Sequence, residues 1–357
     1  MISMGISLWS APSLVKASGR PRIPSKSRQQ KSYEIRPVTE REFEQWDEFV
    51  RQSPQGTLFH STPWLNASNI PFRLYACFRG EEWRGGFAAG VTGPRAGGHP
   101  LFTPYMGLLL PKSDARYVTT LSTNKGIATE FARFLKTEFD SMEFRLPPEI
   151  VDLQPFIWAD YRAGIRYTYR LDVSDLKAVL ANMDKSRRNA FSSARRDGIA
   201  IDDSALFSEV IRISEKILAR QGPVTDLCRA AFRYNEALEQ IGRCRGFIAR
   251  RESGEPLAAI WIVWDDRRMY GLVSAYEEHS ASNNAVSLAI WRAIEFAALE
   301  LGLPEFDFAG SMIPGVEQFV RKFGGTLLPT FTLNAHKAPT LPQRVARKVV
   351  RIATGTH

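Results

Sequence analysis

Asp307, Tyr276 and a concentration of arginines are the side chains in this 357-residue chain best suited to chemistry. Asp307 lies in FDFAG (306–310), an extended-looking segment whose carboxylate can take a proton or hold an amine. A capping or hydrogen-bonded structural aspartate would look the same. Tyr276 closes the apolar run 272–276 and could return a proton to a leaving thiolate, or equally serve as a core tyrosine. A polar stretch with His279 follows, then a helix from about Ala285, with Asn284 and Ser287 near its start. Free backbone N–H groups at a helix start suit phosphates and thioester carbonyls, although Asn284 is also an ordinary cap. Arg187, Arg188 and Arg195 fall near one face of the basic segment DKSRRNAFSSARR (184–196), which suits a pyrophosphate or simply a solvated face. Arg321 and Lys322 form a second pair that could meet a donor or acceptor phosphate.

This chemistry is that of direct group transfer. An activated ester needs orientation, an oxyanion partner and a proton acceptor more than it needs a covalent intermediate. There is no GxSxG, and no cysteine sits in a motif with histidine, so covalent catalysis has no support. Neither a GxGxxG nor a Walker pattern is present, and Gly310, Gly315, Gly324 and Gly325 read as turn residues.

The elements that must position these groups fall into two similar sets. The first runs through a strand at Tyr33, a helix opened by a Thr39/Glu42 capping box, and a loop and a turn over 58–64. A hairpin (72–79 and 83–91), an extended run over 101–110, a helix over 124–139 and a strand over 141–146 complete it. The second has a strand (167–173), the basic helix ended by Gly198, and helices over 205–221 and 229–241. A meander (246–251, 257–264, 269–275), a helix over 285–301 and a strand over 305–309 follow, the last three forming a strand–helix–strand crossover. Internal duplication of one α+β unit accounts for both sets.

Composition narrows the class. With 44% hydrophobic and 24% charged residues the chain is globular, and no apolar run approaches the roughly 20 residues of a membrane span. Cys77, Cys228 and Cys244 are few and widely spaced, which argues against a disulfide framework or a zinc site and fits a reducing cytoplasm. The net charge of +9 belongs to the ends: 1–31 holds six basic residues and 337–357 five, neither holding an acid. The remainder has 36 basic against 38 acidic side chains, so a nucleic-acid surface is disfavoured and DNA excluded as a partner. The first segment reads as a disordered extension. The last reads as an amphipathic tail that touches the inner face of a membrane transiently.

The series from the 272–276 strand through FDFAGSMIPGVEQFVRKFGG (306–325) resembles the carboxy-terminal half of the FemAB-like, GNAT-type acyltransferases. TLFHSTPW (57–64), TPYMG (103–107) and SRRN (186–189) with Ala194 and Gly198 resemble further motifs of that superfamily, so the likeness runs from about Tyr33 to Phe331. It implies an α+β fold of two tandem GNAT-like domains, 32–165 and 166–336, each a mixed, mainly antiparallel sheet flanked by helices. It also implies acyl transfer to an amine or hydroxyl of a sugar, glycan, lipid-linked or other cell-envelope acceptor. Acyl-CoA would be the co-substrate, with no tightly bound cofactor and no metal. Tyr105, Ser311 and Gln318 join the binding candidates through the matched motifs. Relatives that use aminoacyl-tRNA tend to carry Lys after the Phe of the terminal motif, whereas Val320 follows Phe319 here. The chain also lacks a heptad-rich helical arm, so tRNA is disfavoured. A tRNA-dependent peptidoglycan aminoacyltransferase and a non-catalytic GNAT-like binding module remain the alternatives.

Overall fold

The strand expected at Tyr33 forms as β1 (Tyr33–Pro37), and Thr39 and Glu42 complete the capping box before α1 (Phe43–Gln52). The computed structural model describes residues 32–219, 223–276, 282–310 and 312–336. The basic extension expected over 1–31 and the tail expected over 337–357 lie outside them. The described residues from Tyr33 onward form one compact unit.

The first half continues with α2 (Thr62–Ala67), β2 (Phe72–Arg79), β3 (Glu82–Gly93), β4 (Ala96–Gly98) and β5 (Leu108–Leu109). It ends in α3 (Tyr117–Glu138), β6 (Ser141–Leu146) and α4 (Gln154–Trp158). The second half opens with β7 (Arg162–Asp172), α5 (Leu176–Asn182), α6 (Lys185–Arg196) and β8 (Ala200–Asp202). Next come α7 (Phe207–Ala219), α8 (Val224–Glu239) and the meander β9 (Cys244–Arg250), β10 (Pro256–Trp264) and β11 (Arg268–Tyr276). The remaining elements are α9 (Ser282–Glu295), β12 (Glu305–Asp307), α10 (Pro314–Arg321) and β13 (Thr326–His336).

All strands join one mixed sheet in the order β1-β2-β3-β4-β6-β13-β7-β12-β11-β10-β9-β8, with β5 on β3. Among the described residues, only β4 with β6 and β11 with β12 pair in parallel. The last strand, β13, joins the halves: Phe331 lies opposite Leu146 of β6 on one side and Ile165 of β7 on the other.

Three expectations are corrected. Residues 58–64 hold the expected turn, a 3₁₀ turn at Leu58–His60, but in place of the loop α2 follows, which Pro63 starts well because its missing N–H is not needed there. The Asp47 carboxylate accepts the Thr62 N–H at 2.8 Å and so supports that helix start. Residues 101–110 are not extended either. Phe102 and Gly107 have positive φ (55° and 117°), so the segment folds over the core and only Leu108–Leu109 pairs with β3. The helix read as 285–301 starts earlier and its last turn, Phe296–Glu300, widens to a π-helix before Gly302.

The halves share a core. Trp64 of α2 stacks on Tyr234 of α8, ring centres 4.0 Å apart with 16° between planes, and donates from its indole N–H to Thr103 at 2.9 Å. Phe59 meets the edge of Tyr270 in β11, and the Leu58 N–H donates to Asp265 at 3.0 Å. Trp64→Ala is therefore expected to lower unfolding free energy by about 3–5 kcal/mol, as urea denaturation would measure.

Candidate functional site

β11 pairs with β12 at only three positions, Arg268 with Glu305, Met269 with Phe306 and Tyr270 with Asp307. β12 then ends, while β11 continues to Tyr276 beside β10. Among the described residues, the edge of β11 from Gly271 to Tyr276 that faces away from β10 has no strand against it. The sheet is split there. Local sequence explains the stop: the Ala309 N–H turns back to Asp307 Oδ1 at 2.8 Å, and Ala309 and Gly310 adopt φ of 56° and 81°. Gly310 lies so close to the Tyr167 carbonyl oxygen that a Cβ would sit 2.9 Å from it. Soon after the open edge, α9 begins, with no acidic residue in its first turn. A split strand edge beside a helix start presents backbone amides and carbonyls to an extended amide-bearing ligand and N–H groups to its phosphates.

Below the split lies a buried ionic network. Asp307 is fully buried and accepts from Tyr105 Oη (3.1 Å), Thr168 Oγ1 (2.7 Å) and Arg170 Nη2 (3.3 Å) as well as Ala309 N–H (2.8 Å). Arg170 also donates to Glu149 at 2.7 Å, and Arg268 pairs with Glu149 and Glu305, both at 3.0 Å. Burial, and then the Asp307 charge, raises the Tyr105 phenol far above its ordinary pKa, so it remains a donor. Burial opposes the charge on Glu149, but Arg268 and Arg170 overcome it and hold the carboxyl below its usual pKa. Burial likewise opposes the charge on Arg268, but Tyr270, Glu149 and Glu305 raise its pKa on balance.

The expected site residues are distributed unevenly about the split. Tyr276 stands at the end of its open edge, 40% exposed. Asn284 is half-buried in the first turn of α9, and buried Ser287 accepts from Arg187 Nη1 at 2.7 Å. The Arg187 guanidinium also lies 4.6 Å from the centre of the Phe319 ring, so one side chain ties α6, α9 and α10 together. Arg188 turns elsewhere, donating to the carbonyls of Leu180, Ala181 and Met183 at the end of α5. Arg195 is exposed two turns along α6, about 12 Å along the axis from Arg187, so the three arginines do not converge. Gln318 and Arg321 are exposed on α10, while half-buried Lys322 accepts the Asp184 N–H with its carbonyl. Ser311 and His279 lie outside the described residues. Tyr105 contacts Asp307 rather than an open surface. Arg170, Thr168, Glu149, Arg268 and Glu305 were not anticipated; the alternation of β7, which puts Thr168 and Arg170 on one face, was the available signal. Among the described residues no group of His, Cys, Asp and Glu side chains is arranged to hold a metal ion, and no helix is long and apolar enough to cross a membrane. The three cysteines are free thiols.

Residues 177–319, which span α6, the meander, the split and α10, match the acetyltransferase (GNAT) domain family. That segment is similar to the GNAT acetyltransferase domains. The domain match supports N-acyl transfer. The fold is similar to that of FemX, with a TM-score of 0.60 at 13% identity over 84% of this chain and 96% of that one. A tandem GNAT protein from the clavulanic acid biosynthesis pathway is similar at a TM-score of 0.54 and 10% identity, over 87% of this chain and all (100%) of that one. L-PGS from Bacillus licheniformis gives 0.50 and 12% over 84% and 93%. At such identities these likenesses concern the fold: an α+β GNAT-type arrangement with one mixed sheet and flanking helices. None of the curated proteins matches the sequence.

Two buried histidines give a pH prediction. Burial, with a smaller contribution from Arg267, lowers His60 to about 3; burial and Arg145 lower His99 to about 4. Both are neutral when folded and take up a proton when unfolded below about pH 6.5. Their contribution is therefore complete above that pH and falls as pH drops towards the folded values. Each should cost about 1.4 kcal/mol per pH unit. His60→Gln should reduce the slope of unfolding free energy against pH by about that amount between roughly pH 6 and pH 5, whatever its effect on absolute stability.

Proposed function

We propose that this acyltransferase moves an acyl group from acyl-CoA directly to an amine or hydroxyl of a sugar, glycan or cell-envelope precursor. The observation that carries the reading is the open edge of β11, from Gly271 to Tyr276, beside the start of α9. The pantetheine arm of CoA is an extended chain with two amides, so it can add to such an edge much as another strand would. Its phosphates would then face the start of α9, with Asn284 and Ser287 in that helix. The acceptor side is less closely defined by side chains and rests on the family.

In this reading the thioester carbonyl lies near the point where β11 and β12 part. The acceptor attacks it, the C–S bond breaks, and the thiolate takes a proton from Tyr276. The proton lost by the acceptor goes to solvent or a nearby base. Asp307 has all its near partners inside the protein, so its proposed part is positioning: it fixes the end of β12 and the hydroxyls of Tyr105 and Thr168. Arg187 acts by holding α10 against α9. The halves divide as 32–165 and 166–336 in this proposal, and the setting is the cytoplasm, with contact at the inner membrane face.

Thermal shift of the full chain against acetyl-CoA, longer acyl-CoAs and charged tRNA tests the donor. Stabilisation by CoA esters is expected; stabilisation by tRNA alone would favour an aminoacyl-tRNA-dependent transferase, and silence from all would favour a binding module. Tyr276→Phe should lower kcat by roughly 100-fold while leaving KM for the CoA ester within a few-fold, as steady-state kinetics on the responding donor would read.

A further inference from the structure

The first half contains the same order of elements that makes the split in the second: β5, α3 and β6 correspond in sequence order to β11, α9 and β12. A cleft of about 110 Å³ lies there, lined by Leu108, Leu110, Tyr117, Asn124, Glu149 and Val151 among others. Its polar chemistry is the reverse of an anion site. Glu149 uses Oε1 for both arginines, Arg170 at 2.7 Å and Arg268 at 3.0 Å. Its buried Oε2 has no hydrogen-bond partner, and neither has the buried Oδ1 of Asn124 on α3. Buried acceptors without donors are costly, and the residues that carry both, Glu149 and Asn124, line the same cleft.

The charges agree with the orphaned acceptors. Glu149, Glu305 and Asp307 share two guanidiniums, those of Arg170 and Arg268, so the network is one positive charge short. Lys125 on the cleft wall is already paired with Asp152 at 2.7 Å. Besides Gln55 and Thr120, most of the remaining lining is apolar, and Tyr117 and Val151 are about four-fifths exposed (79% and 80%).

We propose that this cleft binds a small primary ammonium compound with an apolar body, its ammonium donating to Glu149 Oε2 and Asn124 Oδ1. A thioester carbonyl or a phosphate, which are acceptors, would be refused at the same place. The occupant touches the carboxylate that holds Arg170 against Asp307, so the site communicates with the split through one ion pair. The proposal does not rest on acyl transfer, because binding alone is measured.

Isothermal titration of the full chain with n-hexylammonium chloride, n-hexanol and sodium hexanoate tests it. Hexylammonium should bind saturably and at least roughly tenfold tighter than hexanol, with hexanoate excluded. Asn124→Leu, which removes one acceptor and fills space, should weaken hexylammonium roughly tenfold. Val151→Lys, at an exposed position, should weaken it by repulsion and serves should the first variant not fold. Equal binding of hexanoate, no saturable binding of hexylammonium, or full affinity in both folded variants would overturn the site. Acyl-CoA binding, titrated separately, shows whether the donor reading stands or falls on its own.

Discussion

Arg170 and Arg268 hold carboxylates from two separated stretches of chain, and the shape of the split sheet depends on that hold. Glu149 follows β6 in the first half, whereas Glu305 and Asp307 make up the ends of the short strand β12 in the second. Burying such groups is costly unless every charge has partners, and removing one partner of a buried pair typically costs about 3–5 kcal/mol. The network is therefore intolerant of small displacements. It fixes where β12 lies against β11 and β7, and hence where the parallel pairing stops.

That placement explains why so short a strand matters. Three residues of β12 are enough to join β11 to β7, yet too few to cover the rest of β11. The Asp307 side chain then turns the backbone at Ala309 and Gly310 away from the sheet, and Gly310 fits only because it has no Cβ to meet Tyr167. A longer β12 would close the edge on which the proposed donor site depends. Packing of α9, α6 and α10 through Arg187 supports the same opening from one face.

Elements with local signals were legible in the sequence. The capping box at Thr39, the basic helix with Gly198 at positive φ, and the crossover from β11 through α9 to β12 each depend on neighbours within a few residues. Residues 101–110 misled because Phe and Leu there suggest extended chain while the positive-φ positions decide otherwise, and in 58–64 Pro63 and Asp47 start a helix that the polar Ser-Thr-Pro stretch concealed. At the site, Asp307 and Tyr276 were marked by their places at strand ends. Their setting was not: Arg170 meets Glu149 and Asp307 only through the registers of β7, β12 and β13, which no short window contains. Arg188 looked equivalent to Arg187 by spacing, and the nearby end of α5 drew it away.

The placement of β13 has a consequence for synthesis. Its partners in β6 were made about 190 residues earlier, and its partners in β7 more than 150 residues earlier. Until the last strand emerges from the ribosome, β6 and β7 have bare edges facing one another, each with unsatisfied backbone groups. Such edges invite pairing with other chains, and contacts of this sequence span form slowly. A nascent chain thus carries the bare edges of both β6 and β7 through the roughly 150 residues between β7 and β13, exposed to mispairing until that strand closes the seam.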